Sequence, residues 1–473
     1  MADESICYLS ATELGMRIAA GEVSSTEATE AYLERIARLD GNYASYITVT
    51  PERARADARQ ADAEIAAGNR RGPLHGVPVA VKDQFDTAGI VTTNGSTILA
   101  ENVPDEDATI MSRLRDAGTV LLGKLNMSEY ASGDAFRHPY GRPRNPWDTN
   151  RNPGTSSSGS GAATAAFLCA TSLGEDTGGS IRGPAAFCGL VGIRPTLGLV
   201  SRHGVFGACW SMDTAGPVSR TVTDCANTLA AIAGHDPNDQ QTWDVPVPDY
   251  AAALDGNVKG LKLGIVTERV HTDANDPEVR DAVLAATQVL AGLGAEVSEV
   301  SLPLIVNSSE ISYAIISSDA AMLNWDIIST EQLRELDHNN QVRLLMGSVI
   351  PSRAYQKAAR LRDVLRRQIL GALEGVDALI MPASSVPATL IPDSAGLGTK
   401  ADVITGFKGR RGFTAPFNLA NLPALSINCG FTASGLPIGL QIAGRAFDET
   451  TLFRLAYAYE QATDWGERRP PGV

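Results

Sequence analysis

Cysteine, patterned histidine, basic charge and long apolar runs are all in short supply in this chain, and each shortage removes a class of function. The 473 residues hold six cysteines, no two spaced C-x-x-C. That is too few for a disulfide scaffold and reads as reduced, mostly buried thiols. The six histidines are His75, His138, His203, His235, His271 and His338. They are scattered, with no H-E-x-x-H, so neither a metal site nor any other cofactor is expected. Forty Lys and Arg face 54 Asp and Glu, a net charge of −14. Phosphate backbones are bound by basic faces, so the balance speaks against a nucleic-acid partner. No stretch of about 18 apolar residues occurs, so no membrane-spanning helix is expected. The start, Met1-Ala2-Asp3-Glu4-Ser5, is acidic and has no apolar core. No signal peptide is expected, and the cytoplasm is the default location.

Two familiar motifs are also missing. G-x-x-x-x-G-K-[ST] is absent, which removes a phosphate loop. G-x-S-x-G is absent too, so the serine elbow of α/β-hydrolases is not available.

What the chain does have is alternation. Ser10 with Glu13 and Ser24 with Glu27 read as capping boxes that open two helices, the first ending at Gly21 and the second near Leu39. A third helix is predicted from Pro51 to about Ala67. Strands are predicted at Val77–Val81, Thr119–Leu122, Lys262–Val266, Glu296–Val300, Ala378–Ile380, Ala424–Asn428 and Ile438–Ile442. Helices are predicted at Asp107–Asp116, Ser160–Ala170, Pro277–Leu293, Ser352 to about Leu373, and Thr450 to about Ala462. Such alternation predicts an α/β sheet covered by helices. Residues 234–249 and 382–413 lack periodicity; the second stretch reads as a pocket wall or lid. No linker divides the chain.

Three local features carry chemistry. Lys82 ends the apolar run Val77-Pro78-Val79-Ala80-Val81, where desolvation lowers an amine's pKa. Working as a base near neutrality requires a loss of about 3 units, roughly 4 kcal/mol. The competing reading pairs Lys82 with Asp83 or Asp86. Lys124, after Leu122-Gly123, is the rival lysine and reads as structural. Ser180 follows Gly178-Gly179, a pair that can turn successive amides toward one developing negative charge; alone, it could be a flexible turn. The run Ser156-Ser157-Ser158 lies upstream; alone, it could be a linker. Two serines and a buried lysine can perform acyl transfer without histidine.

Taken together and in this order, the motifs resemble the amidase signature family over nearly the whole chain. The resemblance runs from Gly72-Pro73-Leu74-His75-Gly76-Val77-Pro78 through Val81-Lys82-Asp83, Gly123-Lys124-Leu125-Asn126-Met127 and Asn145-Pro146-Trp147. It continues through the serine run, Asp176-Thr177-Gly178-Gly179-Ser180-Ile181-Arg182 and Pro184-Ala185-Ala186-Phe187-Cys188-Gly189 to Gly435-Leu436-Pro437-Ile438-Gly439-Leu440-Gln441. It implies a single α/β domain over 1–473, a central twisted mixed sheet covered on both faces by helices. N-terminal helices would occupy 1–70 and the signature core 72–220. It also implies a Ser–cis-Ser–Lys set. Ser180 would be the nucleophile, Ser156 the bridging serine and Lys82 the base. Thr177, Gly178, Gly179 and Ser180 would supply oxyanion amides. Tyr130, Ala131 and Ser132 would line the acyl channel. Phe136 and Trp210 are candidate walls, with Trp210 open to being core. Arg182 reads as structural.

The chain departs from the family pattern at Thr155 and Ser158, where glycine is frequent. Glu175 stands where threonine or serine is common, and Leu197 where tyrosine is usual. The function implied is metal-independent hydrolysis of a small or aryl amide, with esters and carbamates open, by a chain that works alone or as a homodimer. The alternative is the glutamine-hydrolysing subunit of a tRNA-dependent amidotransferase.

Overall fold

A computed structural model describes residues 3–132, 138–392, 399 and 411–473. Their strands join in one mixed sheet of eleven. In chain order these are β1 (Tyr46–Val49), β2 (Pro78–Lys82), β3 (Val120–Leu125), β4 (Thr171–Glu175), β5 (Val191–Arg194) and β6 (Ala215–Ser219). Then come β7 (Lys262–Val266), β8 (Glu296–Val300), β9 (Ala378–Pro382), β10 (Ala424–Phe431) and β11 (Pro437–Ala443). Across the sheet the order is β1-β3-β2-β4-β6-β5-β10-β11-β9-β7-β8. β2 runs parallel to both neighbours, β3 and β4. β7 runs parallel to β8 and β9, and the strands between these groups pair antiparallel.

Side-chain alternation separates the two largest cores of the interior. Val79 and Val81 of β2 join the larger core, with Leu121, Leu173 and residues of the helices Thr109–Asp116, Val222–Ile232 and Pro277–Gly292. Ala80, between them, joins the other core, with Leu14, Tyr32 and Ile36 of the N-terminal helices and Ala163. Lys82 is two residues on from Ala80, so the pleat sends it to the N-terminal helices' side.

Several predicted boundaries move, each for a local reason. β2 extends to Lys82 and β3 to Leu125, which brings both lysines inside the sheet. The predicted 160–170 helix runs instead from Ser158 to Ala165. Phe167 adopts a left-handed φ of 58° that no helix continues through. Ser24 and Glu27 form a complete capping box, and that helix continues to Tyr43. At Ser10 only half the box forms, because Glu13 turns to Arg17. The irregular 382–413 stretch contains the start of a helix, Arg411–Ala420; residues 393–398 and 400–410 lie outside the described residues.

The helix Ser158–Ala165 is buried along its whole length. A Cβ on Gly159 would sit 2.3 Å from Ser45 O and 2.5 Å from Asn126 N and O. Backbone cannot yield as a flexible side chain can. Gly159→Ala is therefore expected to lose on the order of 1–3 kcal/mol, the usual cost of overpacking. An unchanged urea midpoint would contradict this packing.

Candidate active site

The carboxyl ends of parallel strands are where open α/β sheets place their sites. β2 and β4 end side by side here, in Lys82 and Glu175. The serine run packs against them. Lys82 Nζ donates to Ser156 Oγ at 2.7 Å, and both side chains are fully buried. The Thr155–Ser156 peptide is cis. Ser156 O accepts from Ser128 N at 3.1 Å. Ser157 Oγ bonds Glu175 O at 3.2 Å, and Ser160 Oγ bonds Leu173 O at 2.9 Å. The run is thus stitched into the sheet, and the linker reading does not survive. Burial holds the Lys82 pKa below its ordinary value, against the opposing charge of Glu175 3.4 Å away.

Asp83 and Asp86 are not its partners. Asp83 faces Lys124 instead, at 3.3 Å. Lys124 Nζ also donates to Phe85 O and Thr92 Oγ1, each at 2.7 Å, so this rival lysine is fully engaged.

Ser180 lies beside the run, with Ser157 N donating to Ser180 O at 3.4 Å. Its side chain is only half-buried and has no hydrogen bond among the described residues. The loop carrying it is organised by Asp176. That carboxylate accepts from Gly179 N at 2.7 Å, Ile181 N at 3.2 Å and Asn418 Nδ2 at 2.7 Å. Arg182 meets it through Nε and Nη2, each at 3.0 Å. Burial alone would raise the Asp176 pKa; Arg182 and Arg194 more than offset this and hold it well below the usual carboxylate range. Arg182 also donates to Gln441 Oε1, Asn418 Oδ1 and Thr414 O, and it is fully buried. It is structural, as the sequence suggests.

The glycine pair has two distinct jobs. Gly179 has φ +121°, and a Cβ there would fall 2.2 Å from Thr414 Oγ1. Its amide is committed to Asp176, which removes Gly179 from the expected oxyanion donors in this conformation. The amides of Thr177, Gly178 and Ser180 have no hydrogen-bond partner among the described residues.

Tyr130, Ala131 and Ser132 follow β3 on a short turn, half-buried, the first two at φ 51°. The turn begins at Ser128, which bonds Ser156, so it runs directly past the site. The buried Glu129 pins it, accepting from Ser96 Oγ, Asp337 N and Asn340 Nδ2. Trp210 is not core. It is 56% exposed, stacks on the Arg202 guanidinium, and lines a surface groove with Trp243 and Arg362. Phe136 lies outside the described residues. Sequence reading missed Asp213, whose Oδ1 lies 2.8 Å from Thr177 Oγ1; nothing in Ser211-Met212-Asp213 signals it.

Among the described residues, no cluster of three His, Cys, Asp or Glu could hold a metal, and no helix is long and apolar enough to cross a membrane. All six cysteines are free and buried.

A family model described as Amidase matches residues 27–453. The chain belongs to the amidase signature family. Its relatives include the A-subunit of glutamyl-tRNA(Gln) amidotransferase from Moorella thermoacetica, 42% identical over 98% of each chain. The protein of the same name from Geobacter metallireducens is 43% identical over 96% of this chain and 97% of its own. Among solved structures, the corresponding Thermotoga maritima protein superposes with a TM-score of 0.83 at 32% identity, covering 100% of this chain and 99% of its own. The peptide amidase of Stenotrophomonas maltophilia superposes at 0.84 with 33% identity over 99% of each chain.

Because Asp176 binds Arg182 and the glycine loop at once, Asp176→Asn should cost about 3–5 kcal/mol, the usual effect of breaking a buried pair. A depressed carboxylate pKa lends stability that is complete above the unfolded value of 3.8 and fades as pH falls toward the folded value. The variant's melting temperature should therefore be lowered at neutral pH and lose less than wild type on acidification. Parallel pH curves for the two would contradict the assignment.

Proposed function

We propose that this amidase-family chain hydrolyses a carboxamide through an acyl-enzyme on Ser180. The observation that carries this is the fully buried 2.7 Å contact of Lys82 with Ser156, beside a half-exposed and uncommitted Ser180 hydroxyl. The neutral Lys82 amine takes the Ser156 proton as Ser156 takes that of Ser180, and Ser180 Oγ attacks the amide carbon. Negative charge develops on the carbonyl oxygen and meets the open amides of Thr177, Gly178 and Ser180. One such donor is worth about 2.7–4 kcal/mol. The proton returns along the same path to the leaving nitrogen, and water then hydrolyses the ester.

For the substrate, the amide of glutamine is the reading that the comparisons support best, ahead of an aryl amide. Relatives that match at 42% and 43% identity over nearly their full length carry the name of a glutamyl-tRNA(Gln) amidotransferase component. In this reading the chain releases ammonia as one component of an assembly that acts on aminoacyl-tRNA. Nucleic acid then enters through the assembly, against the expectation from charge. The net charge of −14 leaves tRNA binding to a partner's surface.

A stand-alone amidase is the second reading. It is favoured by the likeness to a peptide amidase and by Glu175, an unusual carboxyl beside the base.

Purified alone, the chain is expected to release ammonia from glutamine, and Ser180→Ala to lower the rate by on the order of 10⁴-fold or more. Ser156→Ala and Lys82→Ala should each lose several orders of magnitude while melting as wild type does. Release of p-nitroaniline from anilides with glutamine untouched would select the second reading. Full activity in Lys82→Ala would overturn both.

A further inference from the structure

Behind Lys82 lies a closed chain of acid groups. Glu175 Oε2 is 3.4 Å from Lys82 Nζ, and Glu175 Oε1 is 2.8 Å from Thr177 Oγ1. Thr177 Oγ1 is also 2.8 Å from Asp213 Oδ1. Glu175 and Lys82 are exposed to 1% or less.

Proton counting constrains this cluster. The Thr177 hydroxyl has one hydrogen, yet it sits at hydrogen-bond distance from two carboxyl oxygens. One contact uses the hydroxyl's hydrogen; the other needs a hydrogen on a carboxyl. Asp213 already accepts from the amides of Ala208 at 2.8 Å and Cys209 at 2.9 and 2.8 Å, bonds that favour its charged form. No backbone donor reaches a Glu175 carboxyl oxygen among the described residues. The acid hydrogen therefore belongs on Glu175. The lysine contact agrees: 3.4 Å is long beside the roughly 2.7–2.9 Å of a charge-assisted bond.

We propose that Glu175 is a positioning residue that shares one proton with Lys82, so that the ammonium–carboxylate pair and the amine–carboxylic acid pair interconvert in the resting site. The exchange is internal: Nζ–H breaks as Oε2–H forms, a half-turn of the carboxyl brings that hydrogen to the Thr177 side, and net charge is unchanged. It gives a buried lysine a route to the free amine without releasing a proton to solvent. Glu175 is pushed up to about 7, by burial first, with Lys82 opposing. The other charges facing the pair are Asp176 and Asp213 on the flanking loops and Arg194 on β5. Arg182 is taken by Asp176, and Arg202 faces Asp213. This inference rests on the Ser180 reading above.

The test follows the rate at which a fluorophosphonate labels Ser180, from about pH 5 to 9, in wild type and Glu175→Gln. Wild type should rise in two steps, one near neutrality, leaving it about tenfold below its plateau one unit lower. Glu175→Gln should lose that step and rise once, about one unit or more lower, since a facing charge shifts a pKa by about 1–3 units. Glu175→Thr carries the same expectation should the glutamine variant fail to fold. Superimposable profiles overturn the proposal while leaving the Ser180 mechanism standing. Absence of labelling in wild type overturns both.

Discussion

The contact between a dry amine and a serine hydroxyl governs how this molecule is built. An ammonium in a low-dielectric interior is expensive, and the sheet makes it more so by setting Lys82 between two parallel neighbours. The cost is useful, because it biases the side chain toward the form that can accept a proton. Lys82 is fully buried, and the polypeptide from Ser156 into the small-residue helix Ser158–Ala165 lies against the strand ends, with Ser157 and Ser160 bonding strand carbonyls.

A second polar centre does the opposite work. Asp176 is buried as deeply as Lys82 but is kept charged, because Arg182 and several amides converge on it. It fixes the direction of the glycine loop, and it consumes the Gly179 amide in doing so. Two ionisable groups a short way apart are thus driven to opposite states by different surroundings. One has few partners, and burial lowers its pKa; the other is saturated with partners and keeps its charge.

Much of this is legible in the sequence where residue type and position disagree. A lysine closing an apolar strand is such a disagreement, and so is Glu175 in a motif that usually carries threonine or serine. β4 leaves no such trace. Thr171-Ser172 is polar, but its hydroxyls pair with Ser219 of β6 and with Thr164 of the helix packed on the sheet. The serine run looks like a linker for the same reason: composition does not reveal that the Ser156 and Ser157 hydroxyls have buried partners. Asp213 was invisible, because a carboxyl brought in from 36 residues beyond Thr177 depends on where β6 begins. For Trp210 the sequence left wall and core both open, and the fold leaves this large aromatic largely exposed beside Arg202.

The order of the strands has a consequence for how the site is assembled. Lys82, Ser156, Glu175 and Ser180 all sit on or beside β2 and β4, near one end of the sheet, while β7, β8 and β9 occupy the other. Between β8 and β9 the chain sends out the helix Ser308–Leu323, and Ile316 of that helix is the side chain nearest the space above Gly178. The proton path and the apolar side chain that approaches it are therefore drawn from lengths of polypeptide far apart in sequence, and only the assembled sheet brings them together.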